Sequence, residues 1–312
     1  MAEPTPMPDR TDPLPLTVAG LGQLGLPLAA ALAQAGFTVT GIDPDESRRS
    51  EARDRLFTVV SQATPAMWRQ TQLLVTVLPS DASTQSLLNG PSGALACLPG
   101  GAIHLCIGTL SMALCLALAK QHADAGHRFA ACPVFGRPDE AWAGDLTALF
   151  GPGSPDEGGW HSAAQRILAV FAPRQHTVES PAAASAIKLA GNLMIASAIQ
   201  TLTEASRFVR AHGADASTLH QVITGKLFRG PVYEGVGGRV TRAADSGHEA
   251  NEPAGFTVQL GLKDITQLLA AATAAGVSTP VGELVRATLS RAAEKGCANV
   301  DWADLPACLP KG

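Results

Sequence analysis

The sequence predicts an α/β chain: a doubly wound parallel sheet in the first half, then an all-α domain reached through one long interdomain helix. Three observations carry this expectation. Short apolar runs alternate with helical stretches up to about residue 178. A glycine-rich turn joins the first run to the first helix. From Pro181 onward only helical patterns broken by Gly and Pro are found. A chain of 312 residues suits two domains, placed here at 13–178 and 179–312 behind a disordered tail at 1–12.

Residues 14–19 (LPLTVA) are apolar and short, as a buried strand is. The turn GLGQLG follows at 20–25, then LPLAAALAQAG, which is helical in composition and closes at Gly36. FTVTGID (37–43) reads as a second strand ending on an acid. QLLVTVLP (72–79), AIHLCI (102–107), RFAACPVF (128–135) and LTALFGPG (146–153) read as further strands. SMALCLALAKQHADAG (111–126) is a helix between two of them. The long helix runs over 180–213, with Ser180 as N-cap, Pro181 at its first position and Gly213 ending it. Apolar nearly all round, it needs cover on several sides, so a homodimer with this helix between subunits is expected.

Lys and Arg total 23 against 27 Asp and Glu, a net charge of −4 with no basic run, which argues against phosphate-driven nucleic-acid binding. No uncharged apolar stretch of membrane-spanning length stands out. The opening MAEPTPMPDRTDP lacks the basic start and apolar core of a signal peptide. A cytoplasmic location is the expectation. The six cysteines form no CxxC pair and are expected to stay reduced. The eight histidines show no HExxH spacing, and no metal is expected.

Gly20-Leu21-Gly22-Gln23-Leu24-Gly25 is a GxGxxG turn set between a strand and a helix, with Asp43 ending the next strand. That context is the one a dinucleotide fingerprint requires, and it points to a Rossmann domain. Gly20 permits the tight turn, Gly22 lets backbone approach a pyrophosphate, and Gly25 lets helix and strand pack closely. The helix N-terminus then offers N–H groups and partial positive charge to the phosphates. Asp43 accepts hydrogen bonds from ribose hydroxyls and repels a 2′-phosphate, so of NAD and NADP it favours NAD. Arg48 and Arg49 either reach a 2′-phosphate or form a solvated helix start.

With these residues in view, the chain resembles the β-hydroxyacid dehydrogenase family, which is related to the imine reductases and 6-phosphogluconate dehydrogenase. The likeness runs through most of residues 15–305 on six motifs in order. After GLGQLG with Asp43 comes VLPS (77–80), and the resemblance assigns Leu78, Pro79 and Thr84 to the cofactor. IGTLS (107–111) brings Thr109 onto a cofactor- and substrate-facing threonine. CPVFGRP (132–138) replaces the family's Ala-Pro-Val-Ser-Gly-Gly substrate loop. Lys188-Leu-Ala-Gly-Asn192 matches the catalytic KxxxN, and FTVQLGLKD (256–264) puts Lys263 on the cofactor-contacting lysine. The resemblance implies hydride transfer between NAD(P) and a small β-hydroxyacid or semialdehyde. Lys188 would be the general acid–base, and Asn192 would orient the substrate oxygen.

Independently of the likeness, Lys188 and Asn192 stand four apart on one helix and share a face. A lysine in an apolar helical run is costly unless paired or functional, and desolvation lowers its pKa toward the working range of an acid–base. Where the family holds a substrate carboxylate with Ser-Gly-Gly, this chain has Phe135-Gly136-Arg137. Phe135 removes a hydroxyl and adds bulk. Arg137 either clamps a carboxylate or solvates the loop. Tyr233, the chain's one tyrosine, lies in a Gly/Pro-rich connector as a proton donor, a pocket wall or an exposed aromatic; Trp142 is open in the same way. TRAADSGHEANEPAG (241–255) reads as a polar loop able to order over the cofactor. The altered loop at 135–137 keeps an imine reductase as the alternative enzyme. A non-catalytic cofactor-binding scaffold is the alternative from another class.

Overall fold

Strand β1 (Pro15–Ala19) lies inside the sheet, parallel to β2 (Thr38–Ile42) on one side and to β4 (Leu73–Thr76) on the other. The computed structural model describes residues 15–55, 58–246 and 253–309; the tail expected at 1–12 lies outside them. β3 (Thr58–Val60) flanks β2, β5 (Ile103–Cys106) flanks β4, and β6 (Arg128–Ala131) flanks β5, all parallel. Helices α1 (Gly25–Gln34), α2 (Glu46–Arg53), α3 (Pro65–Gln70), α4 (Asp81–Leu88), α5 (Ala94–Cys97) and α6 (Met112–Asp124) supply the connections. Both sheet faces are covered: Leu73 and Val75 belong to one core cluster and Leu74 to the other. Strands buried on two faces read as unbroken apolar runs, which is why these were legible.

Parallel order does not persist to the end of the sheet. β8 (Thr147–Pro152) pairs antiparallel with both β6 and β7 (Val134–Phe135), and β9 (Arg174–Thr177) is parallel to β8. The pairs Ala130–Pro152, Ala131–Gly151, Val134–Ala148 and Phe135–Thr147 share one register, so β6 and β7 are a single strand broken at Cys132-Pro133. Pro133 lacks an N–H and interrupts the ladder, while its carbonyl still accepts from Leu149 at 3.0 Å. The connection to β8 contains only the five-residue α7 (Pro138–Trp142), too little for a parallel crossover. After β8, α8 (Trp160–Leu168) leads to β9.

Helix α9 (Pro181–Ala211) starts as its sequence directs: Ser180 Oγ accepts from the Ala183 N–H at 3.2 Å. It stops at Gly213, whose φ is +80°, with Ala214 N–H donating to Val209 O at 3.0 Å. Although Lys188 interrupts its uncharged run, α9 is long and apolar enough by length and composition to cross a membrane. Its polar side chains nevertheless bond within the protein, Ser185 to Leu110 O at 2.6 Å and Asn192 to Asp264.

The chain divides into two compact units between Lys188 and Leu189, so α9 contributes residues to both. In the second unit follow α10 (Ala216–Lys226), a helical turn at Val232–Val236, α11 (Gly237–Ser246), α12 (Val258–Ala274), α13 (Pro280–Ala292) and α14 (Leu305–Cys308). Ala196, Ile199 and Leu202 of α9 join Val240, Ile265, Leu269, Val285, Leu289 and Trp302 in its core. Residues 241–246, expected as loop, are the end of α11; residues 247–252 lie outside the described residues.

One cysteine expectation is overturned. Cys297 and Cys308 form a disulfide across a Cα separation of 6.1 Å, because the turns at 298–304 fold α14 back toward the end of α13. Nothing in their spacing announces it. Cys97, Cys106, Cys115 and Cys132 are buried thiols outside this disulfide, and burial pushes the Cys115 thiol up to about 12.

A chain of buried histidines backs the sheet. His104 Nε2 bonds Thr76 Oγ1 at 2.9 Å, and His104 Nδ1 bonds His122 Nε2 at 2.9 Å. His122 stacks on Phe129 at 5.3 Å. Burial, followed by repulsion from neighbouring histidines, holds His104 well below its ordinary range and His122 at about 3. Above pH 6.5 both are neutral folded or unfolded. As pH falls below that value the unfolded chain takes protons that folded His104 and His122 refuse, His122 until about pH 3, so stability drops through this window. Each histidine costs up to about 1.4 kcal/mol per pH unit. The melting temperature is expected to fall between pH 7.5 and 5.0, less steeply in His122→Leu. A wild-type melting temperature that does not fall over this range would refute the account.

Candidate active site

The loops after β1, β4 and β5 meet at one edge of the sheet, where strand order reverses on either side of β1. This is where open α/β sheets bind ligands. Gly20, at φ +91°, leaves no room for a side chain: a Cβ would lie 2.3 Å from Val77 O. A Cβ on Gly25 would lie 1.8 Å from Gly20 O, which is the close helix–strand approach expected of the third glycine. Gly22 is different. A Cβ there meets only the Arg48 guanidinium at 3.6 Å, so its backbone is open to a ligand. Gly108 packs against Leu78 O, where a Cβ would stand 2.7 Å away, and so brings the Thr109 loop beside Leu78 and Pro79.

Helix α1 begins at Leu24-Gly25 with no side-chain cap and no acid in its first turn. By contrast α2, α3, α4 and α6 are capped by Asp45, Thr64, Ser80 and Ser111. The uncapped N-terminus after the glycine turn fits a pyrophosphate. Asp43 is buried; Oδ2 accepts from Leu21 N–H at 2.8 Å and Oδ1 from Asp45 N–H at 2.9 Å. Arg48 faces it at 3.6 Å, while Arg49 bonds Asp43 O at 2.8 Å and pairs with Glu46. Neither arginine is merely solvated. Thr84 does not join this group: it is fully buried on α4, and its hydroxyl bonds Ser80 O at 3.0 Å.

Still within the first unit, Lys188 Nζ lies over the Phe135 ring, 4.2 Å from its centroid. Gly136 adopts φ +142°, and Arg137 is exposed, its Nε 3.4 Å from Asp139 and its N–H bonded to Glu140 Oε2 at 2.7 Å. Trp142 is covered by the Arg55 guanidinium at 4.4 Å.

One helical turn beyond Lys188, in the second unit, Asn192 is buried and its Nδ2 donates to Asp264 Oδ2. A carboxylate only accepts, so this contact fixes which way the Asn192 amide faces. Asp264 is 1% exposed, and its other oxygen stands 2.8 Å from Lys263 Nζ. Sequence reasoning passed over Asp264, although it is the only acid in α12. Tyr233 lies on the helical turn at Val232–Val236 rather than in a loop, stacked on Phe228 at 4.7 Å, and its carbonyl accepts from His220 at 2.9 Å.

Residues 15–179 match the family model for the NAD-binding domain of 6-phosphogluconate dehydrogenase. Residues 182–307 match that for the NAD-binding segment of NADP-dependent 3-hydroxyisobutyrate dehydrogenase. An uncharacterized oxidoreductase of Bacillus subtilis, YfjR, is 31% identical over 94% of this chain and 99% of its own. A 3-hydroxyisobutyrate dehydrogenase (ygbJ) from Salmonella typhimurium shares the fold at TM-score 0.82 and 17% identity, covering 95% of this chain and 100% of that one. A reductive aminase from Aspergillus terreus, in complex with NADPH and ethyl-5-oxohexanoate, shares it at TM-score 0.59 and 21% identity, over 94% and 98%. With a glycine cradle fitted to a dinucleotide and both family models in sequence along it, the chain belongs to the β-hydroxyacid dehydrogenase family and is an NAD(P)-dependent oxidoreductase.

Proposed function

We propose that the protein transfers a hydride between a nicotinamide cofactor and a small carbonyl or hydroxy compound, with Lys188 as the general acid–base. The observation that carries this reading is Lys188 one turn from an Asn192 whose amide is locked by buried Asp264. NAD(P)H bound at the glycine turn would supply the hydride. Lys188 would give its proton to the carbonyl oxygen and take it back in the reverse direction, and Asn192 would hold that oxygen in place. Asp43 favours NAD. Arg48, at 3.6 Å from it, offers a positive partner to a 2′-phosphate, so NADP is accepted as the weaker ligand.

The ring of Phe135 against Lys188 favours a second reading, reduction of C=N on the same scaffold. Both are tested by following NADH and NADPH oxidation with a panel of aldehydes, ketones and cyclic imines. Cofactor binding without turnover of any of them would leave only a binding scaffold.

A homodimer through α9 belongs to the same proposal. Ile187, Met194 and Phe208 are 44%, 74% and 66% exposed at spacings of seven and fourteen residues, an apolar stripe on one helix face. Sedimentation at micromolar concentration is expected to give a dimer that Met194→Glu weakens. A wild-type monomer would remove this part of the proposal.

A further inference from the structure

The loop that faces Lys188 turns its polar groups on itself. Phe135 is fixed on β7 by pairing with Thr147 and packs against the core cluster that includes Ala184, one turn before Lys188 on α9. Gly136 is closed to any side chain, since a Cβ would lie 2.3 Å from Leu146. The Arg137 N–H donates to Glu140, and its exposed guanidinium points along the loop to Asp139, 3.4 Å away, rather than to the Phe135 ring that Lys188 covers. Across 137–140 two acids stand against one base. A substrate carboxylate arriving here would meet an aromatic ring, with the Glu140 carboxylate beside Gly136, and would lose water without gaining a donor from Phe135. Lys188 does not change the balance: a carboxylate paired with its ammonium would occupy the proton that the carbonyl oxygen needs.

We infer that the carbonyl compound reduced at Lys188 carries an uncharged, apolar substituent on the Phe135 side, so that alkyl and aryl aldehydes or ketones, not carboxylated semialdehydes, are its substrate class. This rests on the proposed role of Lys188. An alkyl or aryl group against the ring removes apolar surface from water on both partners. The ring also stabilises the ammonium without neutralising it, which keeps a proton available for reduction.

The test compares matched aldehydes on the purified full-length protein: butanal and 3-phenylpropanal against succinic semialdehyde, each with the better of NADH and NADPH. Wild type is expected to show at least a tenfold higher kcat/KM for the uncharged pair. Phe135→Ser is expected to lower that value by about ten- to a hundredfold and to narrow the preference. Phe135→Leu, which keeps apolar bulk without the ring, should retain the preference for butanal and lose part of that for 3-phenylpropanal. Equal or better turnover of succinic semialdehyde by wild type would overturn the inference and leave the oxidoreductase reading standing. No turnover of any aldehyde, with cofactor bound, would overturn both.

Discussion

Replacing Lys188 by alanine is expected to lower kcat for carbonyl reduction by about 10²–10⁴-fold, the range a positioned acid–base contributes, while NAD(P)H affinity stays within about twofold. The asymmetry follows from position. On the proposed reading the glycine turn, the uncapped start of α1 and Asp43 form the cofactor side, and none of their described contacts involves the Lys188 side chain. Stopped-flow hydride transfer, with NAD(P)H binding followed by fluorescence, separates the two quantities. Turnover that survives the substitution within tenfold would remove Lys188 from the chemistry. Imine turnover that survives while carbonyl turnover collapses would move the protein to C=N reduction. Lys188→Arg makes a useful companion: it keeps a cation by the Phe135 ring but cannot release a proton near neutral pH, so it should fail almost as badly as alanine.

Arg239→Ala is expected to cost about 3–5 kcal/mol, the loss that follows removal of one partner from a buried ion pair. Arg239, 7% exposed on α11, makes a two-pronged bond to Asp304, Nε to Oδ1 at 2.8 Å and Nη2 to Oδ2 at 2.7 Å, and lies 3.6 Å from Asp301. Truncation takes the cation away from two buried carboxylates. Asp301 is also the acceptor for Gly255 N–H at 2.8 Å and Ala303 N–H at 2.9 Å, so the loss reaches the chain just before α12, the helix bearing Lys263 and Asp264. Urea unfolding should show a lower midpoint, and kcat should fall with it as Asn192 loses a fixed partner. A midpoint shift worth less than about 1 kcal/mol would show that the cluster is not the brace described.

Much of this architecture could be read beforehand because its physics is local. Gly20, Gly25 and Asp43 sit at fixed offsets around a strand–turn–helix, and the apolar runs of β1, β4 and β5 follow from burial on two faces. Ser180 and Gly213 marked the ends of α9 to within a residue or two. What escaped was set by tertiary structure. β3 is only three residues, Thr-Val-Val, and β9 reads Arg-Gln-His-Thr with most of it exposed, so neither offers an apolar run of strand length. The antiparallel return of β8 depends on how little chain lies between it and β7. The Cys297–Cys308 bond depends on α14 folding back, and the bond between Asn192 and Asp264 joins residues 72 apart in sequence. Thr84 went the other way: its place in the motif order suggested a ligand contact, yet its hydroxyl is spent on its own helix.

The unbroken register between 128–135 and 147–152 has an evolutionary consequence. Because the ladder is in step on both sides of residues 136–146, the exposed part of that excursion, Arg137 and Asp139, can change without shifting a strand pair, while Ala141 and Leu146 stay tied to the core. The residues Arg137 and Asp139 are therefore carried on a continuous strand frame without being part of it. Phe135, anchored in the frame itself, is the part that such an exchange would leave behind. On the proposed reading, selectivity would then be altered in two separable ways, by exchange of exposed loop residues and by point substitution of a single ring.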